Sequence, residues 1–172
     1  RKSISEEINF TCELKYDGAS INLSYKNNEY VRAATRGDGF EGDNVTHNVR
    51  TIKSVPLKIK NNSLPENFDI RGEIVLPFEG FAKLNAERIE QGLEAYANPR
   101  NTASGSLKLQ DSSETAKRPL DCLVYGIQAE HLEFETQYTA LETLRDIGFN
   151  VPREIKLCQN LDDVFNFINF WD

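Results

Sequence analysis

Lys15 has an acidic side chain two positions away on either side, in the run Cys12-Glu13-Leu14-Lys15-Tyr16-Asp17-Gly18. The segment Phe10–Lys15 reads as a β-strand, and alternate side chains of a strand share a face. Glu13, Lys15 and Asp17 are therefore expected to project together, with Cys12, Leu14 and Tyr16 on the other side. A lysine amine attacks an electrophile only when neutral. A nucleophilic Lys15 thus needs burial, a nearby cation or a metal ion to disfavour its charge. Two carboxylates act in the opposite sense unless a metal or a bound nucleotide offsets them. The trio hints at a divalent ion, and Mg²⁺ is the usual partner of phosphate chemistry. Gly18 permits a tight turn and close backbone approach to a ligand. The plainer reading of Lys15-Tyr16-Asp17-Gly18 is a turn after a strand, since so short a pattern also arises by chance.

Further constellations have the same character. The run from Thr35 to Ile52, TRGDGFEGDNVTHNVRTI, puts three glycines and four charged side chains into its first nine residues. Arg36-Gly37-Asp38-Gly39 reads as a flexible turn or as a place where Arg36 meets phosphate or ribose oxygens with its planar fork. Arg71-Gly72-Glu73 falls inside a strand, where a charged pair is costly unless it is paired, exposed or part of a site. Asn98-Pro99-Arg100-Asn101 through Gly105-Ser106-Leu107-Lys108 combines small residues with two cations, a composition suited to phosphate contact. Tyr125, in a strand, is either core or a flat surface for a ligand ring. His47 and His131 lack any metal-ligand spacing and read as exposed loop residues.

The elements that must position these groups are legible from pattern. Strands are expected at Phe10–Lys15, Ala19–Tyr25, Tyr30–Thr35, Ser54–Ile59, Asp69–Leu76, Asp121–Ile127 and Glu154–Cys158. Asn27-Asn28 supplies a hairpin turn, and a helical turn is expected near Asn44–Val49. Lys60–Asn67 reads as a polar loop. Pro77 suits the start of a helix carrying Phe78, Phe81, Leu84 and Ile89 and ended by Gly92. Ala97–Asp111 reads as a loop with short helical pieces. A helix with Tyr138, Leu141 and Leu144 ends at Gly148. The last helix, capped by Asn160, shows a stripe of Leu161, Val164, Phe165, Ile168 and Trp171, expected to pack in the core. Strands in runs with interspersed helices indicate an α+β architecture with largely antiparallel sheets.

The chain of 172 residues is 39% hydrophobic and 27% charged, as for a globular protein. No stretch has the length of a membrane span and no leader is visible, so a membrane partner is not expected. Three cysteines, Cys12, Cys122 and Cys158, fit neither a disulfide framework nor a zinc site, and a reducing, cytoplasmic setting follows. Residues 1–120 hold 17 Lys/Arg and 17 Asp/Glu, whereas residues 121–172 hold 3 and 10 and supply the whole net charge of −7. Strong binding of nucleic acid by this chain alone is therefore not expected. The start at Arg1 and the absence of methionine suggest a piece of a longer protein.

Taken together, the Lys15-Tyr16-Asp17-Gly18 motif, the Thr35–Ile52 run and the Asn98–Lys108 segment resemble the adenylation domain of bacterial NAD-dependent DNA ligases, from about Phe10 to the end. The run through Asn48-Val49-Arg50-Thr51-Ile52 resembles these ligases more than ATP-dependent ones. The resemblance implies a nucleotidyltransferase fold, truncated at both ends, with a nucleotide-binding core of about 10–127 and an acidic part of about 128–172. It implies that Lys15 takes AMP from NAD to form lysyl-AMP, and that AMP then passes to the 5′-phosphate of a nick in double-stranded DNA before sealing. Asp17 would assist catalysis, and Asp17 and Glu73 would hold Mg²⁺ through water. Glu13 would accept a hydrogen bond from the adenine amino group, Tyr125 would stack on the base, and Glu73 would sit beside the ribose. Arg36 and Arg100 would contact the nucleotide, and Arg50, Lys53 and Lys108 the DNA. Bacterial relatives commonly have arginine where Lys108 stands, and lysine keeps the charge without the bidentate geometry. Zinc, a nicotinamide-binding segment and two further lysine motifs would lie outside these residues, so the isolated chain is expected to be nearly inactive. A nucleoid-associated role in DNA replication and repair, with no obligate protein partner, completes the expectation. The alternatives are an ATP- or GTP-using relative, such as an RNA ligase or capping enzyme, and a nucleotide-binding module without catalysis.

Overall fold

A computed structural model describes residues 8–37, 41–60 and 64–172. Asp38 and Gly39 of the glycine-rich loop, and part of the polar loop expected at 60–67, lie outside the described residues. The elements run β1 (Phe10–Glu13), β2 (Ala19–Lys26), β3 (Glu29–Thr35), α1 (Thr46–Val49), β4 (Asn67–Val75), α2 (Phe78–Glu90), α3 (Pro99–Leu107), α4 (Ser112–Ala116), β5 (Asp121–Gln128), α5 (Gln137–Asp146), β6 (Ile155–Cys158) and α6 (Leu161–Trp171). Two antiparallel sheets result, one of four strands in the order β3-β2-β4-β5 and a ribbon of β1 with β6. The α+β architecture matches the expectation.

The four-stranded sheet is built on period-2 alternation. Ile21, Leu23 and Tyr25 of β2, Ile70 and Ile74 of β4, and Cys122 and Val124 of β5 are all buried. They join one core with Val49, Ile52 and Val55 after β3 and with Leu141 and Leu144 of α5. Tyr25 stacks on Phe68 at a centroid distance of 5.1 Å, and its burial drives the phenol pKa well above the ordinary value. Ser20, Glu73 and Tyr125 occupy the alternate positions and turn the other face of the sheet towards a cleft. The β2–β3 hairpin turns on Asn27 and Asn28, both in the left-handed region (φ 51° and 62°) that asparagine tolerates.

The Asn48–Ile52 run is explained by packing. Asn48 is buried and its Nδ2 donates to the carbonyls of Leu107 (2.6 Å) and Leu109 (2.8 Å), which fastens α1 to the end of α3. Val49 and Ile52 fill the core beside it.

Four expectations are corrected. β1 stops at Glu13, before Lys15. Its register on β6 ends with Glu13 opposite Ile155, and continuing it would set Tyr16 against Pro152, which has no amide to donate. No strand forms over 54–59. Pro56 interrupts the run, and pairing reduces to a bridge of Lys58 with Glu29. The loop expected at 97–111 is instead largely α3, begun by Asn98, whose side chain accepts from the Asn101 amide at 2.8 Å, with Pro99 at the first helical position. The stripe on α6 is not core: Leu161, Phe165, Ile168 and Trp171 are exposed, and Phe170 is 78% exposed. The short β1–β6 ribbon offers too little surface, so only Val164 and Phe167 among its large apolar side chains are half-buried.

Cys12 and Cys158, far apart in sequence, approach to 3.7 Å between sulfurs across the ribbon, and both are free thiols. Among the described residues no helix is long and apolar enough to cross a membrane.

Asn48→Ala should remove two hydrogen bonds and leave buried carbonyls without a donor, which costs about 1–3 kcal/mol. Urea unfolding is expected to show a lower midpoint with an unchanged slope.

Candidate active site

Between the β1–β6 ribbon and the four-stranded sheet lies a cleft of about 970 Å³. The chain passes between the two sheets over residues 14–18, from β1 to β2, and returns through α5 from β5 to β6. This crossing segment is fixed by Gly18. The Gly18 amide donates to Glu73 Oε1 at 3.2 Å. A Cβ on Gly18 would fall 2.3 Å from the carbonyl oxygen of Ile74, so no larger residue fits without moving β4. Lys15, three residues earlier, is thereby held over the end of the sheet with its side chain exposed to the cleft.

Eight of the ten sequence-predicted site residues line this space: Glu13, Lys15, Asp17, Arg36, Glu73, Arg100, Lys108 and Tyr125. Asp17 receives a 2.9 Å ion pair from Arg100 Nη1. Lys108 Nζ lies 2.8 Å from Asp43 Oδ2. Helix α3 brings the two cations in together, because Arg100, Asn101, Ser104 and Lys108 lie along one helical face. Tyr125 is 40% exposed, which excludes the core reading, and its hydroxyl is 3.2 Å from Ser20 Oγ. Arg50 and Lys53 are exposed but lie away from the cleft. Arg50 stacks its guanidinium over the Tyr30 ring at 5.4 Å. Arg71 pairs with Gln128 at 2.8 Å.

Several site residues were given no role by the sequence, although Tyr16 and Asp43 lie within its motifs. Gln137, the first residue of α5, donates from Nε2 to Glu13 Oε1 at 3.2 Å and to the Tyr125 carbonyl at 2.9 Å. Tyr16 donates to Glu154 Oε2 at 3.0 Å. Burial, reinforced by Glu154, pushes the Tyr16 phenol up to about 12, so it remains a donor. Asp43 is held below the usual carboxylate range, chiefly by its hydrogen bond from Lys108. The partners of all three are brought to them by folding, which sequence spacing does not report.

Glu73 and Glu154 are half-buried, whereas the other cleft carboxylates are exposed. Burial raises the pKa of Glu73 above the ordinary value, while the Gly18 amide, Lys15 and Arg100 work in the opposite direction and Asp17 adds to the rise. Among the described residues no three Asp, Glu, His or Cys side chains converge to enclose a metal ion. Asp17 and Glu73 offer hard oxygen donors, a set that fits Mg²⁺ retaining most of its shell as water and phosphate. Four cations and five carboxylates thus line a polar cleft with one exposed aromatic face. That composition suits a nucleotide, with its flat base and phosphate charge.

Glu73→Gln should preserve the Gly18 bond through its amide oxygen and unfold at the same or a higher temperature than wild type at pH 7. The folded-state pKa of Glu73 is raised, so ionisation costs stability as pH rises through the carboxylate range. The difference between variant and wild type should therefore shrink as pH falls, which paired melting curves from pH 7 to pH 4 would follow. Gly18→Ala should instead melt well below wild type at every pH, because of its contact with the Ile74 carbonyl.

Comparison with known proteins gives a consistent result. The chain matches, over residues 1–172, the family described as the NAD-dependent DNA ligase adenylation domain. It is 61% identical over 165 residues, 96% of its length, to a DNA ligase of Flavobacterium johnsoniae, and covers 25% of that protein. It is 59% identical over all 172 residues to a DNA ligase of Christiangramia forsetii, covering 26% of it. With a DNA ligase of Cytophaga hutchinsonii the identity is 45% over 171 residues, again 26% of that protein. The chain therefore spans about a quarter of the length of the curated relatives it matches.

Proposed function

The chain belongs to the NAD-dependent DNA ligase adenylation domain family, and from that premise we propose that its cleft binds NAD and that Lys15 takes the AMP. The observation that carries the reading is the meeting of Lys15 with Glu73, the Asp17–Arg100 pair and the exposed Tyr125 ring in one cleft. The ATP- and GTP-using alternatives are not favoured by membership of this family.

In the proposed reaction the neutral Lys15 amine attacks the adenylyl phosphorus of NAD. A nitrogen–phosphorus bond forms, the bond from that phosphorus to the bridging oxygen breaks, nicotinamide mononucleotide leaves, and the amine loses its proton. Tyr125 supplies the surface on which adenine stacks, and Glu13 accepts from the adenine amino group. Glu73 sits at the ribose, with its half-buried carboxylate poised by the Gly18 amide. Arg36 and Arg100 neutralise phosphate charge and hold it in line for attack. Mg²⁺, held through water by Asp17 and Glu73, would supply positive charge that favours the neutral amine and screens the phosphate.

The longer protein would then pass AMP to the 5′-phosphate at a nick in double-stranded DNA, and the 3′-hydroxyl would displace AMP to seal the strand. Arg50, Lys53 and Lys108 are the proposed contacts to the DNA backbone. Of these, Lys108 lines the cleft, while Arg50 and Lys53 are exposed away from it. Within one partial adenylation domain, the proposed nucleotide-binding core is about 10–127 and the acidic part about 128–172; Gln137, Glu154 and Ile155 of the latter line the cleft. A role in DNA replication and repair, in the cytoplasm and at the nucleoid, follows from this activity.

Lys15→Ala in the full-length protein should abolish AMP attachment on incubation with NAD and Mg²⁺, read by intact mass spectrometry; AMP attachment retained by the variant would overturn the assignment. Arg36→Ala should slow attachment about a hundredfold, the typical effect of removing one electrostatic donor, while leaving the melting temperature near wild type. A large fall in melting temperature at an unchanged rate would make Arg36 structural.

A further inference from the structure

Gln137 is the first residue of α5, and its backbone is fixed before any ligand arrives. Thr136 caps the helix, accepting from the Thr139 amide at 3.0 Å while Thr139 Oγ1 accepts from the Thr136 amide at 3.2 Å. Leu141 and Leu144, one and two turns on, are fully buried and anchor the helix to the core. From this rigid start the Gln137 amide nitrogen uses both hydrogens. One goes to Glu13 Oε1 at 3.2 Å and the other to the Tyr125 carbonyl at 2.9 Å.

The two partners sit on different sheets. Glu13 ends β1 in the two-stranded ribbon, and Tyr125 belongs to β5 at the edge of the four-stranded sheet. Among the described residues Gln137 is the one hydrogen-bonding partner of the Glu13 side chain. Without it, an exposed glutamate with three side-chain torsions would sample several rotamers at little cost. With it, one carboxylate oxygen is tied to the strand that carries the aromatic ring, leaving the second to meet an incoming donor.

We infer that Gln137 is a positioning residue that sets the purine selectivity of this cleft, favouring a 6-amino over a 6-oxo base. The inference rests on the proposed reading of Glu13 as the carboxylate that meets the base. An ionised carboxylate only accepts. It therefore favours a base bearing an amino group and repels one bearing a carbonyl at the same position. That discrimination depends on the carboxylate being held at a fixed place relative to the ring plane, because a mobile one can swing away from the wrong base. Gln137 supplies the fixed place by coupling Glu13 to the backbone of Tyr125.

The test compares NAD with nicotinamide hypoxanthine dinucleotide, its 6-oxo analogue, as donors for covalent modification of Lys15 in the full-length protein. Wild type, Gln137→Leu, Gln137→Glu and Glu13→Ala are assayed for kcat/KM with each. Gln137→Leu should lower the preference for NAD about tenfold, the worth of one charge-assisted hydrogen bond in a partly exposed site, with the loss falling on KM for NAD more than on kcat. Gln137→Glu keeps the shape and suits the first turn of a helix, yet sets a like charge against Glu13. It should lower the preference further. Equal losses with both dinucleotides would mark a general structural effect and overturn the inference. A preference within twofold of wild type in both Gln137 variants would also overturn it, and Glu13→Ala then separates two failures. If Glu13→Ala abolishes the preference, Glu13 reads the base without help from Gln137. If Glu13→Ala leaves it intact, the reading of Glu13 fails as well.

Discussion

The close approach of Gly18 to β4 is the constraint from which the site follows. A backbone amide, a carboxylate and a carbonyl meet where there is no room for a Cβ. This contact fixes the crossing between two sheets that have no strand in common, and it fixes Lys15 and Asp17 on either side of Tyr16 within that crossing. It also decides the environment of Glu73. The same tight approach that excludes a side chain on Gly18 withdraws Glu73 from water, and the Gly18 amide partly restores what solvent would have given its charge.

Charge in the cleft is arranged as exchangeable pairs. Arg100 rests on Asp17 and Lys108 on Asp43, all four side chains more than half exposed. Exposed ion pairs contribute little to stability, because water solvates the separated charges nearly as well. Such pairs hold a cation near its place at low cost and release it readily to a phosphate, a stronger and more concentrated anion. Arg100 stands on α3 and Lys108 is its C-cap, so the helix sets their separation. The buried bond network from Asn48 to the end of α3 makes that helix a fixed platform.

Helix α6 departs most from what pattern suggests. Its apolar stripe is strong, and its large side chains make their ring contacts mostly with one another, Phe167 and Phe170 both against Trp171. Amphipathic periodicity reports that a face is apolar; it does not report that the rest of a chain offers enough surface to cover it.

Sequence alone determined the parts of this protein that rest on local chemistry. The strand patterns of β2, β4 and β5 were legible, but whether Tyr125 faced the core or a ligand was decided only by its 40% exposure on the cleft side of the sheet. Asn27-Asn28 dictated a hairpin, because asparagine accepts the left-handed backbone such a turn needs. Asn98-Pro99 also held a legible helix start, obscured by the small residues and Gly105 that follow. The motif residues around Lys15, Arg36, Arg100 and Lys108 stood out together because glycines and cations so close in sequence suit phosphate contact, although each short run alone also reads as a turn. Tertiary structure alone decided what depends on distance in space. The β1 ladder ends at Glu13 opposite Ile155, a partner 142 residues away, with Pro152 three places beyond it. Gln137 reaches Glu13 across 124 positions of sequence, and Tyr16 reaches Glu154 across 138. Neither separation leaves a trace in local pattern, since a glutamine or a glutamate at a helix or strand start looks the same whether it faces solvent or a cleft. Local propensity chooses the elements, and only their packing chooses which of their polar ends meet.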